Sequence, residues 1–268
     1  MMRPTDVIST MWRERPGSLR VCLIACVVMA ASLACGSPSE RSASVPPLDT
    51  STAPPPAVDE ALPSPTEGPA PDPSEGRIVV LGDSLTAGLG LPTVADSFPS
   101  VLQERLKTKG LKYHVVNAGV SGDTSAGGLT RLRSALDGNV RVLIVALGGN
   151  DALRGLPPEE LKRNLSTIIE RAQARAITVI LAGMEAPPNF GQQYTAEFRA
   201  VYPVLAKQYR LRLIPFLLQG VAGDPTLNQQ DGIHPTVAGA RIVADNVWAV
   251  LEPVLDRQTV RGGGAPGS

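Results

Sequence analysis

The stretch "RIVVLGDSLTAG", Arg77 to Gly88, decides how the rest of the chain is read. Apolar residues run from Ile78 to Leu81 into Gly82, and then Asp83 and Ser84 stand where a buried strand should end. A continuous apolar run closed by glycine reads as a strand of a parallel sheet that is covered on both faces. Ser84 has two readings at that place. It either caps the following helix, the ordinary task of serine there, or is a nucleophile held up on a tight turn at the carboxyl end of the strand. The second reading needs a base, an acid and an oxyanion hole from elsewhere in the chain.

Four further apolar runs predict strands: Tyr113–Val116, Val140–Leu147, Thr178–Leu181 and Leu211–Phe216. Helical patterns separate them. After Pro157 and Pro158, the residues Leu161, Leu165, Ile168, Ile169 and Ala172 recur on one face with charges between them. Ser97–Lys109 and Thr236–Leu255 also read as helices, and so does Thr195–Tyr209, bent or broken at Pro203. Strand and helix in alternation predict an α/β domain of three layers, α/β/α, around a five-stranded parallel sheet. Sites in such folds gather beyond the carboxyl ends of the strands.

Residues 1–35 read as an export signal. Arg3, Arg13, Arg15 and Arg20 stand against Asp6 and Glu14 ahead of the apolar run Val21–Ala34, which is too short to span a bilayer comfortably. The three cysteines, Cys22, Cys26 and Cys35, all lie in or just after this segment, so the rest of the chain has no disulfide framework. Cys35 follows "SLA" and is a lipidation candidate, which would anchor the protein to a membrane through an N-terminal lipid. Ordinary signal-peptide cleavage beside Ala34 is the alternative. The expectation is an exported bacterial protein, periplasmic or held as a lipoprotein.

Residues 36–76 hold eleven prolines and seven acidic residues against the single Arg41, a composition that cannot bury enough apolar surface to order itself. They read as a disordered linker. Residues 77–257 form the one sizeable domain, and 258–268 read as a flexible glycine-rich tail. From Arg77 onward there are 20 basic and 16 acidic residues with no basic cluster, which excludes nucleic acid as a partner. A monomer is expected.

The chain has two histidines. His114 lies inside the strand run "YHVV" and reads as structural. His234 lies in "QQDGIHPT", where Pro235 keeps it out of helical geometry, and Asp231 precedes it closely enough to hold Nδ1–H and fix the tautomer. The plainer reading makes Asp231-Gly232 a turn and His234 an exposed loop residue. Gly119, in "NAGVSGDT", permits close backbone approach, so its N–H is a candidate oxyanion donor. Asn150, after two glycines in "ALGGND", offers a side-chain amide for the same purpose. Turn residues would account for each glycine or asparagine alone.

Taken together, "GDSL" (Gly82–Leu85), "NAGVSGDTS" (Asn117–Ser125), "GGND" (Gly148–Asp151) and "DGIHP" (Asp231–Pro235) resemble, in order, the sequence blocks of the SGNH or GDSL hydrolases. The resemblance runs from Arg77 to about Leu255, and the residues that match the family's name are Ser84, Gly119, Asn150 and His234. "VSGDTSAGGLTRL", "LGGNDALRGLPPE" and "YPVLAKQY" look like the bacterial subgroup of multifunctional acyl-CoA thioesterases, lysophospholipases and arylesterases. This resemblance implies a flavodoxin-like sheet ordered 2-1-3-4-5, an esterase or thioesterase activity on small acyl esters or thioesters, and no metal or other cofactor. The catalytic set is then Ser84, Asp231 and His234, with Ser84, Gly119 and Asn150 as the oxyanion hole. Asp83, Asp123 and Asp151 are expected to brace their loops.

Two loops, "GMEAPPNFGQQY" (Gly183–Tyr194) and "DALRGLPPEE" (Asp151–Glu160), follow predicted strands and should flank Ser84. Leu153, Met184, Pro187 and Phe190 are the expected substrate-binding residues. A polysaccharide O-deacetylase of the same family is the rival enzyme, marked by a polar, open cleft. A non-enzymatic binding module leaves the Ser, Asn and Asp-His set unexplained.

Overall fold

β1 (Gly76–Gly82) is the strand that the opening stretch predicts, and residues Ile78 to Leu81 are fully buried in it. The structure is a computed structural model that describes residues 76–262, with side chains as far as residue 257. The expected export signal, Cys35, the linker ahead of Gly76 and the end of the tail lie outside the described residues.

After β1 come α1 (Ser84–Ala87), α2 (Phe98–Thr108), β2 (Tyr113–Gly119), α3 (Ser125–Thr130), α4 (Leu132–Ala135) and β3 (Val140–Ala146). They are followed by α5 (Gly149–Leu153), α6 (Pro158–Gln173), β4 (Thr178–Ala182), α7 (Gln192–Gln208), β5 (Arg212–Ile214) and α8 (Val237–Gly262). The five strands are all parallel, in the order β2-β1-β3-β4-β5. This is the flavodoxin-like arrangement. α2 and α8 pack together on one face of the sheet, while α3, α6 and α7 cover the other. Both faces of β1 and β3 are therefore dry, which is why their sequences are apolar without alternation.

The order reverses between β1 and β3, so the crevice at their carboxyl ends is the place where such a sheet leaves room for a ligand. Ser84 follows β1 there and Asn150 follows β3. Gly76, where the described chain enters the sheet, is at the opposite ends of the strands.

Two helices depart from expectation. α7 starts at Gln192 and runs through Pro203 without a break, because Phe198, Val201, Tyr202, Leu205 and Ala206 are buried on both sides of the proline. Packing of that stripe outweighs the one backbone bond that proline removes. α8 continues past Leu255 to Gly262, since a helix that is already anchored by Val247, Leu251 and Leu255 extends without a new nucleus.

Candidate active site

Asp83, not Ser84, caps α1. Its Oδ1 accepts the N–H of Leu85 at 3.0 Å, and Ser84 becomes the first residue of the short helix. The Ser84 hydroxyl is thereby left for other partners. On the far side of the crevice, the loop after β5 is pinched by a bridge between Asn228 and Pro235, and Gln229 N–H donates to the His234 carbonyl at 2.7 Å. Within that loop Asp231 Oδ1 accepts the N–H groups of Ile233 and His234, each at 3.0 Å. Its other oxygen is 2.7 Å from His234 Nδ1, and His234 Nε2 is 2.8 Å from Ser84 Oγ.

Asp231 can only accept, so Nδ1 carries the proton and Nε2 is free to accept from the serine hydroxyl. The imidazole bond, followed by the two backbone N–H groups, pulls the Asp231 carboxyl down from 3.8 to about 2. It is therefore ionised from mildly acidic pH upward. The histidine ring is largely covered, with 13% of its side chain exposed, while 45% of the Asp231 side chain remains open. His114 stays in β2 and takes no part.

Asn150 is presented by the first turn of α5, whose N-cap Gly148 has φ +117°. Its Nδ2 donates to the Asp123 carbonyl at 3.0 Å and to Asp83 Oδ2 at 3.3 Å. Asp83 is 2% exposed, and burial lifts its carboxyl from 3.8 to about 6, opposed by the bonds from Leu85 and Asn150. Asp151, 1% exposed, accepts both the N–H and the hydroxyl of Ser125, at 2.8 and 2.5 Å. Asp123 is bound by Arg131 Nε at 2.5 Å. All three aspartates hold loops in place.

Gly119 does not offer a free donor, and the expectation for it needs correction. It is the last residue of β2, in register with Gly82, and its N–H is taken by Asn117 Oδ1 at 3.0 Å. A Cβ at this position would lie 2.3 Å from the Ala87 nitrogen, so the glycine is there to let β2 pass under α1. The sequence reading missed Gly122. This residue sits in the exposed turn beyond the strand with φ +85°, next to the Asp123 carbonyl that binds Asn150. Among the described residues nothing accepts its N–H, nor that of Ser84. The signal was its place in "SGD", past the strand end, where a backbone N–H has no ladder to join.

Ser84, Asn150 and His234 line a cleft of about 340 Å³. Leu153, Met184 and Pro187 contribute to its walls, as do Phe216, Leu218, Ala222 and Ile233, which the sequence reading had not singled out. The apolar run Leu211–Phe216 predicts Phe216 in the last strand, but β5 ends at Ile214 and releases it toward the cleft. Phe190 is absent from this lining. The short turn Pro188–Phe190 places its ring 5.3 Å from that of Tyr194, against Gly155. A roomier groove of about 700 Å³ runs along α2 and the edge of β2 but contains none of these groups. Among the described residues no group of three or more His, Cys, Asp or Glu is placed to hold a metal ion.

Residues 80–242 match the model of the GDSL-like lipase/acylhydrolase family. Esterase TesA of Pseudomonas aeruginosa is 44% identical over 179 residues, covering 66% of this chain and 89% of that protein. Thioesterase 1/protease 1/lysophospholipase L1 of Escherichia coli is 36% identical over 183 residues, covering 68% and 86%. The crystal structure of TesA superposes with a TM-score of 0.64 at 43% identity, over 66% of this chain and 98% of the other. That of AlinE4, an SGNH-hydrolase family esterase, gives 0.56 at 45% identity, over 67% and 96%. The family match runs from the end of β1 well into α8, and the relatives are matched over nearly their whole length, so the chain belongs to the GDSL-like lipase/acylhydrolase family.

Proposed function

We propose that the protein is a serine esterase and thioesterase that passes an acyl group from its substrate to Ser84 and then to water. The observation that carries this reading is the continuous line from Ser84 Oγ through His234 to Asp231, with contacts of 2.8 and 2.7 Å, opening into an apolar cleft. His234 Nε2 takes the hydroxyl proton as Oγ attacks the carbonyl carbon, and the carbonyl π electrons move onto oxygen. Collapse of the tetrahedral species expels the alcohol or thiol, which leaves with the proton from Nε2. Water then repeats the sequence on the acyl-enzyme, and the free acid departs.

The negative oxygen needs donors that are fixed before it forms. The N–H of Ser84 and the amide of Asn150 fit that role, and Gly122 replaces Gly119 as the third donor because its N–H is unoccupied. Asp231 orients the imidazole and stabilises its cationic form. The walls Leu153, Met184, Pro187, Phe216, Leu218 and Ile233 suit a linear acyl chain better than a sugar, which favours acyl-ester hydrolysis over polysaccharide deacetylation. Export through residues 1–35, with Cys35 as a lipid anchor point, is part of the same proposal and rests on sequence alone. The test is labelling by a fluorophosphonate together with a panel of aryl esters, thioesters, lysophospholipids and acetylated sugars. Labelling lost in Ser84→Ala and turnover of the acyl substrates are expected; a preference for acetylated sugars would overturn the substrate assignment.

A further inference from the structure

Arg131 stands at the junction of α3 and α4, with 22% of its side chain exposed. Each nitrogen of its guanidinium goes to a different segment of the site. Nη2 donates to the Gly82 carbonyl at 2.6 Å, just ahead of the Asp83–Ser84 turn. Nη1 donates to the Ala118 carbonyl at 2.7 Å, at the end of β2, and Nε to Asp123 Oδ2 at 2.5 Å. The Asp123 carbonyl in turn accepts the Asn150 amide at 3.0 Å, and Gly122 is its neighbour in the chain.

We propose that Arg131 is a positioning residue for the oxyanion hole, holding the donors of Ser84, Gly122 and Asn150 at fixed separations. The inference rests on the reading of Ser84 as nucleophile. A need for backbone satisfaction does not explain the residue, because the Gly82 carbonyl already accepts the Val120 N–H at 3.1 Å. What the arginine adds is a rigid planar tie between two strand ends and a loop. Its five N–H donors lie in one plane with fixed angles, so three acceptors bound to it are fixed relative to one another. A lysine in its place is a point charge on a flexible stem and cannot hold all three. Misplacement of a catalytic donor by about an ångström costs up to about a hundredfold in rate, so such a tie is worth having.

The experiment compares Arg131→Lys and Asp123→Asn with the wild-type full-length protein, and runs Ser84→Ala in parallel. It measures kcat and KM on an aryl ester, the thermal midpoint, and inhibition by an alkyl boronate and by a product fatty acid. For Arg131→Lys, kcat should fall about ten- to a hundredfold with KM within about twofold. Boronate affinity should weaken by the same factor as kcat/KM while product affinity weakens less, since the donors are placed for the tetrahedral oxyanion. Combined with Asn150→Ala, the loss should be smaller than the product of the two single losses. A variant that melts earlier but keeps wild-type kcat would overturn the proposal, and so would multiplicative losses. If Arg131→Lys does not fold, Asp123→Asn carries the test: it keeps an oxygen in place but removes the charge that seats the guanidinium. Unchanged kcat in that variant overturns the proposal too. Activity in Ser84→Ala would instead bring down the nucleophile reading itself.

Discussion

Asn150 divides its amide between two acceptors, the Asp123 carbonyl at 3.0 Å and the Asp83 carboxylate at 3.3 Å. The longer bond is the weaker one, and in the proposed role of Asn150 it is the one that a developing oxyanion would displace. Asp83 keeps its bond from Leu85 when this happens. On that proposal the bond from Asn150 Nδ2 to the Asp123 carbonyl holds the amide in place while its other proton changes partner. Asn150→Ala should lower kcat by about 10²–10³ and change KM little, as expected for a group that acts on the tetrahedral state alone. Steady-state kinetics on an aryl ester checks both parameters.

Ser84→Ala removes one oxygen from the first turn of a short helix and leaves the Asp83 cap intact. Its circular dichroism and melting should match wild type, while kcat falls by about 10⁴–10⁶. Active-site titration with a chromogenic ester should show no burst.

The parts of the site that depend on neighbours in sequence were legible. Asp231, Gly232 and Pro235 shape one loop, so the position of His234 could be read from its own surroundings. The apolar runs of β1, β3 and β4 gave the centre of the sheet for the same reason, since burial on both faces leaves a continuous apolar signature. The edge strands β2 and β5 are only partly buried. The glycine proposed for the oxyanion hole was not legible, because which N–H stays free depends on where the Asn117 side chain reaches and where β2 stops pairing. Nor was Phe216, which as an apolar residue at the end of an apolar run looked like more strand. Phe190 misled in the opposite way: its loop flanks the cleft, but the Pro188 turn gives its ring to Tyr194 instead. Arg131 lies inside the quoted block "VSGDTSAGGLTRL", but its tie across the site was not legible, because the Gly82 carbonyl it binds is 49 residues away in the chain.

The two glycines should fail differently. Gly119→Ala drives a methyl into the Ala87 backbone and should destabilise the fold by about 3 kcal/mol, at the upper end of what overpacking costs. At Gly122 a Cβ has open space, its nearest neighbour being Arg154 at 3.8 Å, so only the φ of +85° resists substitution. Gly122→Ala should cost about 1–2 kcal/mol of stability and, by shifting one donor, about tenfold or more in kcat. Denaturant titration beside kinetics separates the two. If Gly119→Ala proved stable and slow while Gly122→Ala was stable and fast, the assignment would be reversed.

Asp83 and Asp231 give opposite pH dependences. The Asp83 carboxyl titrates at about 6 in the fold against an ordinary 3.8, so the native state holds that proton more tightly than the unfolded chain. The associated stability is complete below 3.8 and is lost as pH rises through about 6. For Asp231 the folded value of about 2 lies below 3.8, so its contribution is present above 3.8 and is lost as pH falls through about 2. Asp83→Asn abolishes the first effect. Relative to wild type, the variant should gain on the order of 2 kcal/mol in going from pH 4 to pH 7. Thermal melts across that range would show the two curves converging or crossing; parallel curves would mean that Asp83 is ionised throughout.

The cleft of about 340 Å³ and its apolar walls should favour acyl chains longer than acetyl. Each buried methylene contributes about 0.8 kcal/mol, so lengthening an acyl chain from acetyl by two or three carbons should raise kcat/KM by one to two powers of ten. A series of 4-nitrophenyl esters from acetyl to octanoyl measures this directly. A flat profile, or one that peaks at acetyl, would contradict the apolar groove.

A parallel sheet gives a domain two unlike ends. The described chain enters at Gly76 on one end, and the seven residues of β1 carry it roughly 23 Å to the end where Ser84 sits. Anything attached ahead of Gly76, whether a natural tether, a solid support or a fused protein, joins the domain at the end away from the mouth of the cleft. A support coupled directly at Gly76, with no intervening chain, would leave the active face turned outward toward the surrounding medium.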